Sequence, residues 1–161
     1  MGLRFPEQVH GQCFFVTTSF ADRAPLGEIA GFYEALAENL DHYCDAYHAA
    51  ILGFVFMPTH IHLVIAIDGS RLSEFMRDFK KYVSQRAAKE LGIKRKRIWM
   101  SRYDRVVITS ENVLRIKLEY IHNNPLKAGL VRQTDRWLWS SARAYSEDGR
   151  CPVTVWKGWA G

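Results

Sequence analysis

His60 and His62 place two imidazoles one residue apart in the stretch Met57-Pro58-Thr59-His60-Ile61-His62, which separates two apolar runs, 51–57 and 63–67. Proline has no amide hydrogen for a ladder and pushes the residue before it out of helical geometry, so Pro58 ends one strand and His60 opens the next. Strand side chains alternate, which puts His60, His62, Val64 and Ala66 on one side and Ile61, Leu63, Ile65 and Ile67 on the core side. Two side chains at i and i+2 are ~7 Å apart along a strand, close enough for both rings to reach one cation. A lone pair of this kind is equally at home hydrogen-bonded to backbone or solvated, so the rest of the chain must decide.

Tyr120 and Asn124 stand one helical turn apart before Pro125, in Leu118-Glu119-Tyr120-Ile121-His122-Asn123-Asn124-Pro125, with His122 pointing away from them. A phenol ionises near pH ~10 and is a weak nucleophile at neutral pH unless its target is made more electrophilic. A divalent cation does this on a phosphodiester by polarising a non-bridging oxygen and orienting the scissile bond. His60, His62 and the amide oxygen of Asn124 would supply three ligands and leave positions for phosphate and water. The structural alternatives are a core tyrosine on the stripe Val113, Ile116, Tyr120 and an asparagine at a helix C-terminus. Glu119 and His122 flank the tyrosine and are read as helix-surface residues. Tyr82, Tyr103 and Tyr145 are rival nucleophiles without a comparable amide one turn on.

The elements that would position these residues follow from periodicity. Residues 13–20 are aromatic and β-branched, a strand. From Leu26 apolar residues recur at three and four through Leu40, an amphipathic helix with its acids outward. A strand over 46–57, bent at Gly53, pairs through Pro58 with a strand over 60–67, and Asp68-Gly69-Ser70 is a turn. A helix over 71–91 carries Leu72, Phe75, Met76, Phe79, Tyr82 and Val83 on one stripe and Arg77, Lys80, Lys81, Arg86 and Lys89 over the remainder, with Gly92 closing it. A fourth strand over 103–109 precedes a helix capped by Ser110 and expected to stop near Asn123, ahead of Pro125. The order strand, helix, strand, strand, helix, strand, helix is that of an α+β, ferredoxin-like antiparallel sheet with two helices on one face and the other face free for a site. The chain is read as one domain over 1–161, a core of about 13–124 and a packed tail of about 125–161.

Charge is divided unevenly: residues 1–70 hold 2 Lys/Arg against 8 Asp/Glu, and residues 71–161 hold 20 against 9. A basic half on a small domain points to a polyanion, with a solvated surface or an acidic protein partner as alternatives. Lys80, Lys81, Arg86 and the run Lys94, Arg95, Lys96, Arg97 are the candidate DNA-phosphate contacts, and the N-terminal segment could add others. Cys13, Cys44 and Cys151 form no CxxC pair and read as reduced thiols. No apolar run approaches the ~20 residues of a membrane span and residues 1–6 have no signal core, so a soluble, cytoplasmic, nucleoid-associated protein is expected.

Four blocks resemble a known family in order: 56–64 (FMPTHIHLV), Ile98-Trp99 with 103–107 (YDRVV), 120–131 (YIHNNPLKAGLV), and Trp139-Ser140-Ser141 with Tyr145. Together they are similar to the REP-associated tyrosine transposases, single-tyrosine HUH transposases of the insertion-sequence type, over about 14–145. One departure is Thr59, where the family commonly carries Asn; it falls between no expected ligands. The resemblance implies that His60 and His62 are metal ligands for Mg²⁺ or Mn²⁺, that Tyr120 is the nucleophile and that Asn124 is the third ligand. It further implies cleavage of single-stranded DNA beside a hairpin, leaving a 5′-phosphotyrosine and a free 3′ hydroxyl. A monomer is expected, with a homodimer that exchanges the tyrosine helix as the alternative. A domesticated binder of structured single-stranded DNA or RNA, without turnover, is the competing function.

Overall fold

The expected turn at Pro58 forms between two antiparallel strands, β2 (Ala50–Phe56) and β3 (His60–Asp68), and both ends of that turn are anchored. The Pro58 carbonyl accepts from the Gly27 amide (3.0 Å) and the Thr59 carbonyl from the Phe20 amide (3.0 Å). In this computed structural model, which describes residues 11–146 and 149–160, β3 pairs on its other side with β1 (Gly11–Ser19), and β1 pairs with β4 (Asp104–Ile108). The sheet is antiparallel with order β2-β3-β1-β4, the ferredoxin-like arrangement expected. A register shift between Ile51 and Gly53 is the bend expected at Gly53.

Helices α1 (Phe32–Tyr47) and α2 (Leu72–Lys89) cover one face, burying Leu36, Leu40, Phe75 and Phe79 against Ile61, Leu63, Ile65 and Ile67 of β3. The opposite face is not free over its length. Helix α3 (Glu111–Lys127) lays Leu114, Leu118 and Ile121 on Phe15, Val55, Val64 and Ala66, with His60 and His62 at the end of the sheet beyond this apolar patch. The pattern of β3 explains this: Val64 and Ala66 are apolar on the histidine side too, and a sheet apolar on both faces must be covered on both.

Three boundaries differ from the expected ones. Leu26–Glu28 is a separate short turn and α1 starts at Phe32, because Gly31 takes a left-handed conformation (φ 86) that interrupts the apolar period. Helix α1 then continues to Tyr47, so β2 begins at Ala50 rather than 46. Helix α3 passes through Pro125 to Lys127, with Pro125 buried and the left-handed Gly129 (φ 75) following. Only Leu126 and Lys127 follow the proline in the helix, so little of the ladder lies beyond its missing amide hydrogen. Ser110 caps α3 as expected, its hydroxyl accepting from the Val113 amide (3.2 Å).

The segment after α3 packs along β2. The Trp139 carbonyl accepts from the Phe56 amide (2.8 Å), the Trp137 indole donates to the Phe56 carbonyl (2.9 Å), and Val155 bridges Ile51. Among the described residues no helix is long and apolar enough to cross a membrane. The N-terminal segment considered for DNA contact lies outside the described residues.

Candidate active site

Pairing register sets the surroundings of the two histidines. β1 opposes Ser19 to His60 and Thr17 to His62, so the Thr17 hydroxyl meets His62 Nδ1 at 2.8 Å. The Thr59 hydroxyl meets His60 Nδ1 at 3.0 Å. Thr59, expected to matter little, thus orients one ring. With each Nδ1 taken by a hydroxyl, Nε2 is the nitrogen left to each imidazole for a cation. The rings lie 4.9 Å apart between centroids. Burial, reinforced by His60 and Lys117, holds His62 down to about 4. Burial, then Arg23, also lowers His60, while a hydrogen bond with the Asn124 side chain opposes the shift. Both rings are therefore neutral at pH 7, the form that ligates metals.

Helix α3 crosses the sheet so that Tyr120 and Asn124 arrive at this end. The Tyr120 ring stands edge-on to His62 (5.6 Å) and to Phe15 (6.0 Å), and Phe15 stacks on His62 (5.3 Å). Tyr120 remains 45% exposed where His62 is only 5% exposed, so a solvent-borne substrate can reach the phenol. The structure brings together His60, His62, Tyr120 and Asn124, the four residues singled out in the sequence. Among the described residues no three His, Cys, Asp or Glu side chains cluster; a cation at this end would have two imidazoles and an amide to hold it. Such a set would leave positions open on a divalent cation, and its two nitrogen donors favour Mn²⁺ over the oxygen-preferring Mg²⁺.

The rival tyrosines are placed elsewhere. Tyr145 donates to the Leu52 carbonyl (2.6 Å), Tyr82 stacks on Tyr43 (5.5 Å) and Tyr103 receives Lys80 Nζ over its ring (5.4 Å). His122 is not a surface residue: its Nε2 lies 2.7 Å from the Ser141 hydroxyl, which also accepts from the Phe54 amide (2.9 Å), and burial pushes the ring down to about 4. It ties α3 to β2 on the side away from Tyr120.

The basic candidates divide. Arg86 pairs with Glu38 (2.8 Å) and Glu90 (3.0 Å). Lys80 donates to the Met100 carbonyl (3.2 Å) beside the Trp99 ring, and burial lowers it to about 8. Lys81 is exposed, its ammonium 5.8 Å from the Tyr82 ring. Lys94, Arg95, Lys96 and Arg97 are exposed and, with Asp22, Arg23 and residues 99–101, line a cleft of about 680 Å³. Arg95 also pairs with Asp22 (3.1 Å). This cleft adjoins the histidine end, because the Ser19 carbonyl accepts from the Met100 amide (2.9 Å) and Ser19 lies opposite His60. Sequence reading overlooked Thr17, Phe15, Arg23 and Lys117. The first two depend on strand register, but Lys117 was visible as the residue one turn before Tyr120.

Against known proteins, residues 21–124 match the sequence pattern described as transposase IS200 like. A Haemophilus influenzae protein provisionally named a REP-associated tyrosine transposase is 24% identical over 154 residues, covering 86% of this chain and 87% of that protein. The solved structure of a REP-associated tyrosine transposase bound to a REP hairpin superposes with a TM-score of 0.72 at 22% identity, covering 98% of this chain and 93% of that one. A Deinococcus radiodurans protein provisionally named a transposase gives a TM-score of 0.56 at 15% identity, covering 74% and 95%. These two are likenesses of fold. With the family pattern covering residues 21–124, from the segment after β1 to Asn124 in α3, the chain belongs to the IS200-like transposases.

Proposed function

We propose that this protein cuts and rejoins single-stranded DNA beside a hairpin, with Tyr120 as nucleophile and His60, His62 and Asn124 as the holders of a divalent cation. The observation that carries the reading is the convergence, within one chain, of two neutral imidazoles, an amide and a half-exposed tyrosine. A bound Mg²⁺ or Mn²⁺ would polarise the scissile phosphate. The chain's own residues do the rest. Thr17 and Thr59 orient the rings, and Phe15 stacks under His62 and backs the Tyr120 ring. The Tyr120 oxygen attacks phosphorus as the phenolic proton leaves to solvent. The P–O3′ bond breaks, the 3′ oxygen takes a proton, and the 5′ phosphate stays on tyrosine for a later 3′ hydroxyl to attack. The hairpin as substrate is supported by the fold likeness to a transposase solved with a REP hairpin. The exposed 94–97 cluster beside the site supplies the positive surface for its backbone.

The test is incubation with Mn²⁺ and hairpin oligonucleotides from repeats flanking the gene, followed by denaturing electrophoresis. The expected result is an SDS-resistant protein–DNA band in wild type, absent in Tyr120→Phe. Tight binding that survives chelation with no band would make the protein a binder without turnover.

A further inference from the structure

Lys117 is a cation beside the candidate active site that the chemistry above leaves unused. At ~100° and 1.5 Å per residue, Lys117, Tyr120 and Asn124 share one face of α3, with Tyr120 between the other two along the axis. Phe15 links the group: Lys117 Nζ lies 4.8 Å from its ring centroid, and the same ring meets both His62 and Tyr120. Among the described residues Lys117 enters no ion pair, whereas its neighbour Arg115 is held by Glu111 (2.6 Å). A phosphate placed at the Tyr120 hydroxyl therefore has the His60–Asn124 pair toward one end of α3 and Lys117 toward the other.

We propose that the Lys117 ammonium contacts the scissile phosphate, donating to a non-bridging oxygen on the side of Tyr120 away from Asn124. The inference rests on the reading of Tyr120 as nucleophile. As the phenol oxygen bonds to phosphorus and the P–O3′ bond breaks, negative charge concentrates on the non-bridging oxygens. A fixed ammonium stabilises that charge and stays protonated throughout, so the proton balance of the step is unchanged.

Two readouts test it. In a Tyr120→Phe background with divalent ions chelated, binding of a fluorescent single-stranded hairpin oligonucleotide is followed across salt concentrations. Lys117→Met, which keeps a stem over Phe15, should lower the slope of log K against log salt by about 0.7, and Lys117→Arg should not. With Tyr120 intact and Mn²⁺ present, Lys117→Met should slow single-turnover adduct formation about 100-fold, with most of the rate restored by Lys117→Arg. An unchanged slope overturns the contact, whether the rate is unchanged or falls without recovery in Lys117→Arg, since the second pattern marks a packing role. A reduced slope in a protein that never forms an adduct leaves Lys117 a backbone-phosphate contact and overturns both its assignment to a scissile phosphate and the nucleophile.

Discussion

At the residue scale, two threonine hydroxyls do more for the candidate site than their exposure or position in the chain suggests. A ligand imidazole whose Nδ1 is held presents Nε2 in one orientation, and loss of such an outer partner typically costs about 10–100-fold in metal affinity. Thr17→Val removes the hydroxyl 2.8 Å from His62 Nδ1 and should weaken Mn²⁺ binding about 10-fold by calorimetric titration, with the melting temperature little changed. His122 carries a different consequence. Its folded value is pushed down to about 4 by burial, below the ~6.5 of an unfolded histidine. The unfolded chain therefore binds the extra proton first, and stability falls as pH drops from about 6.5 towards 4. At pH 5 this one ring should cost about 2 kcal/mol. His122→Gln should narrow the gap between melting temperatures measured at pH 7.5 and pH 5.

At the element scale, the angle at which α3 crosses the sheet determines where Tyr120 ends up. The bulge in β2 puts Gly53 directly under this helix, and a Cβ there would press on Leu118 and Ile121. Ser141, which stands beside Gly53, and His122 secure the same crossing, and the Tyr145 hydroxyl adds a bond to Leu52. Gly53→Ala should lift the helix, lower stability by about 1–3 kcal/mol as overpacking does, and slow adduct formation although every proposed catalytic side chain is retained. Denaturant melts and single-turnover assays read the two effects separately. The short β4 is the contrasting case: Val106 and Val107 are each about half exposed, at the sheet edge, and contribute little to holding the site.

On the scale of the whole molecule, the four candidate residues meet within one chain: β1, β3 and α3 of the same protomer bring Tyr120 to its own histidines. A single copy should therefore suffice for cleavage, and light scattering of the adduct-forming species should return the mass of one chain, 18.6 kDa, plus the oligonucleotide. Charge is distributed so that its availability, not its count, governs DNA affinity. Arg86 is neutralised by Glu38 and Glu90, whereas Lys94, Lys96 and Arg97 are exposed along the cleft next to the site. Replacing those three with Gln should lower the salt slope of hairpin binding by about 2, at ~0.7 per phosphate contact on single strands. Arg86→Gln should leave that slope nearly unchanged.

The α+β order, the hairpin at Pro58, the bend at Gly53 and the pairing of Tyr120 with Asn124 could all be read along the chain, because each rests on local chemistry: an absent amide hydrogen, a period of two or four, a missing Cβ. Gly31 and Pro125 misled for the same reason in reverse. A single glycine broke a convincing apolar period, and a buried proline was carried through by the packing of α3. What no local rule could supply was the partner of each side chain. The hydroxyl that holds His62 comes from a strand 45 residues away in sequence, and the one that holds His122 comes from a segment beyond α3. Strand register and helix crossing arise only when the whole core closes. Tertiary structure therefore decided that Arg86 is spent in ion pairs, that His122 is half-buried against Ser141, and that Lys117 lies over the Phe15 ring that packs on His62 and Tyr120.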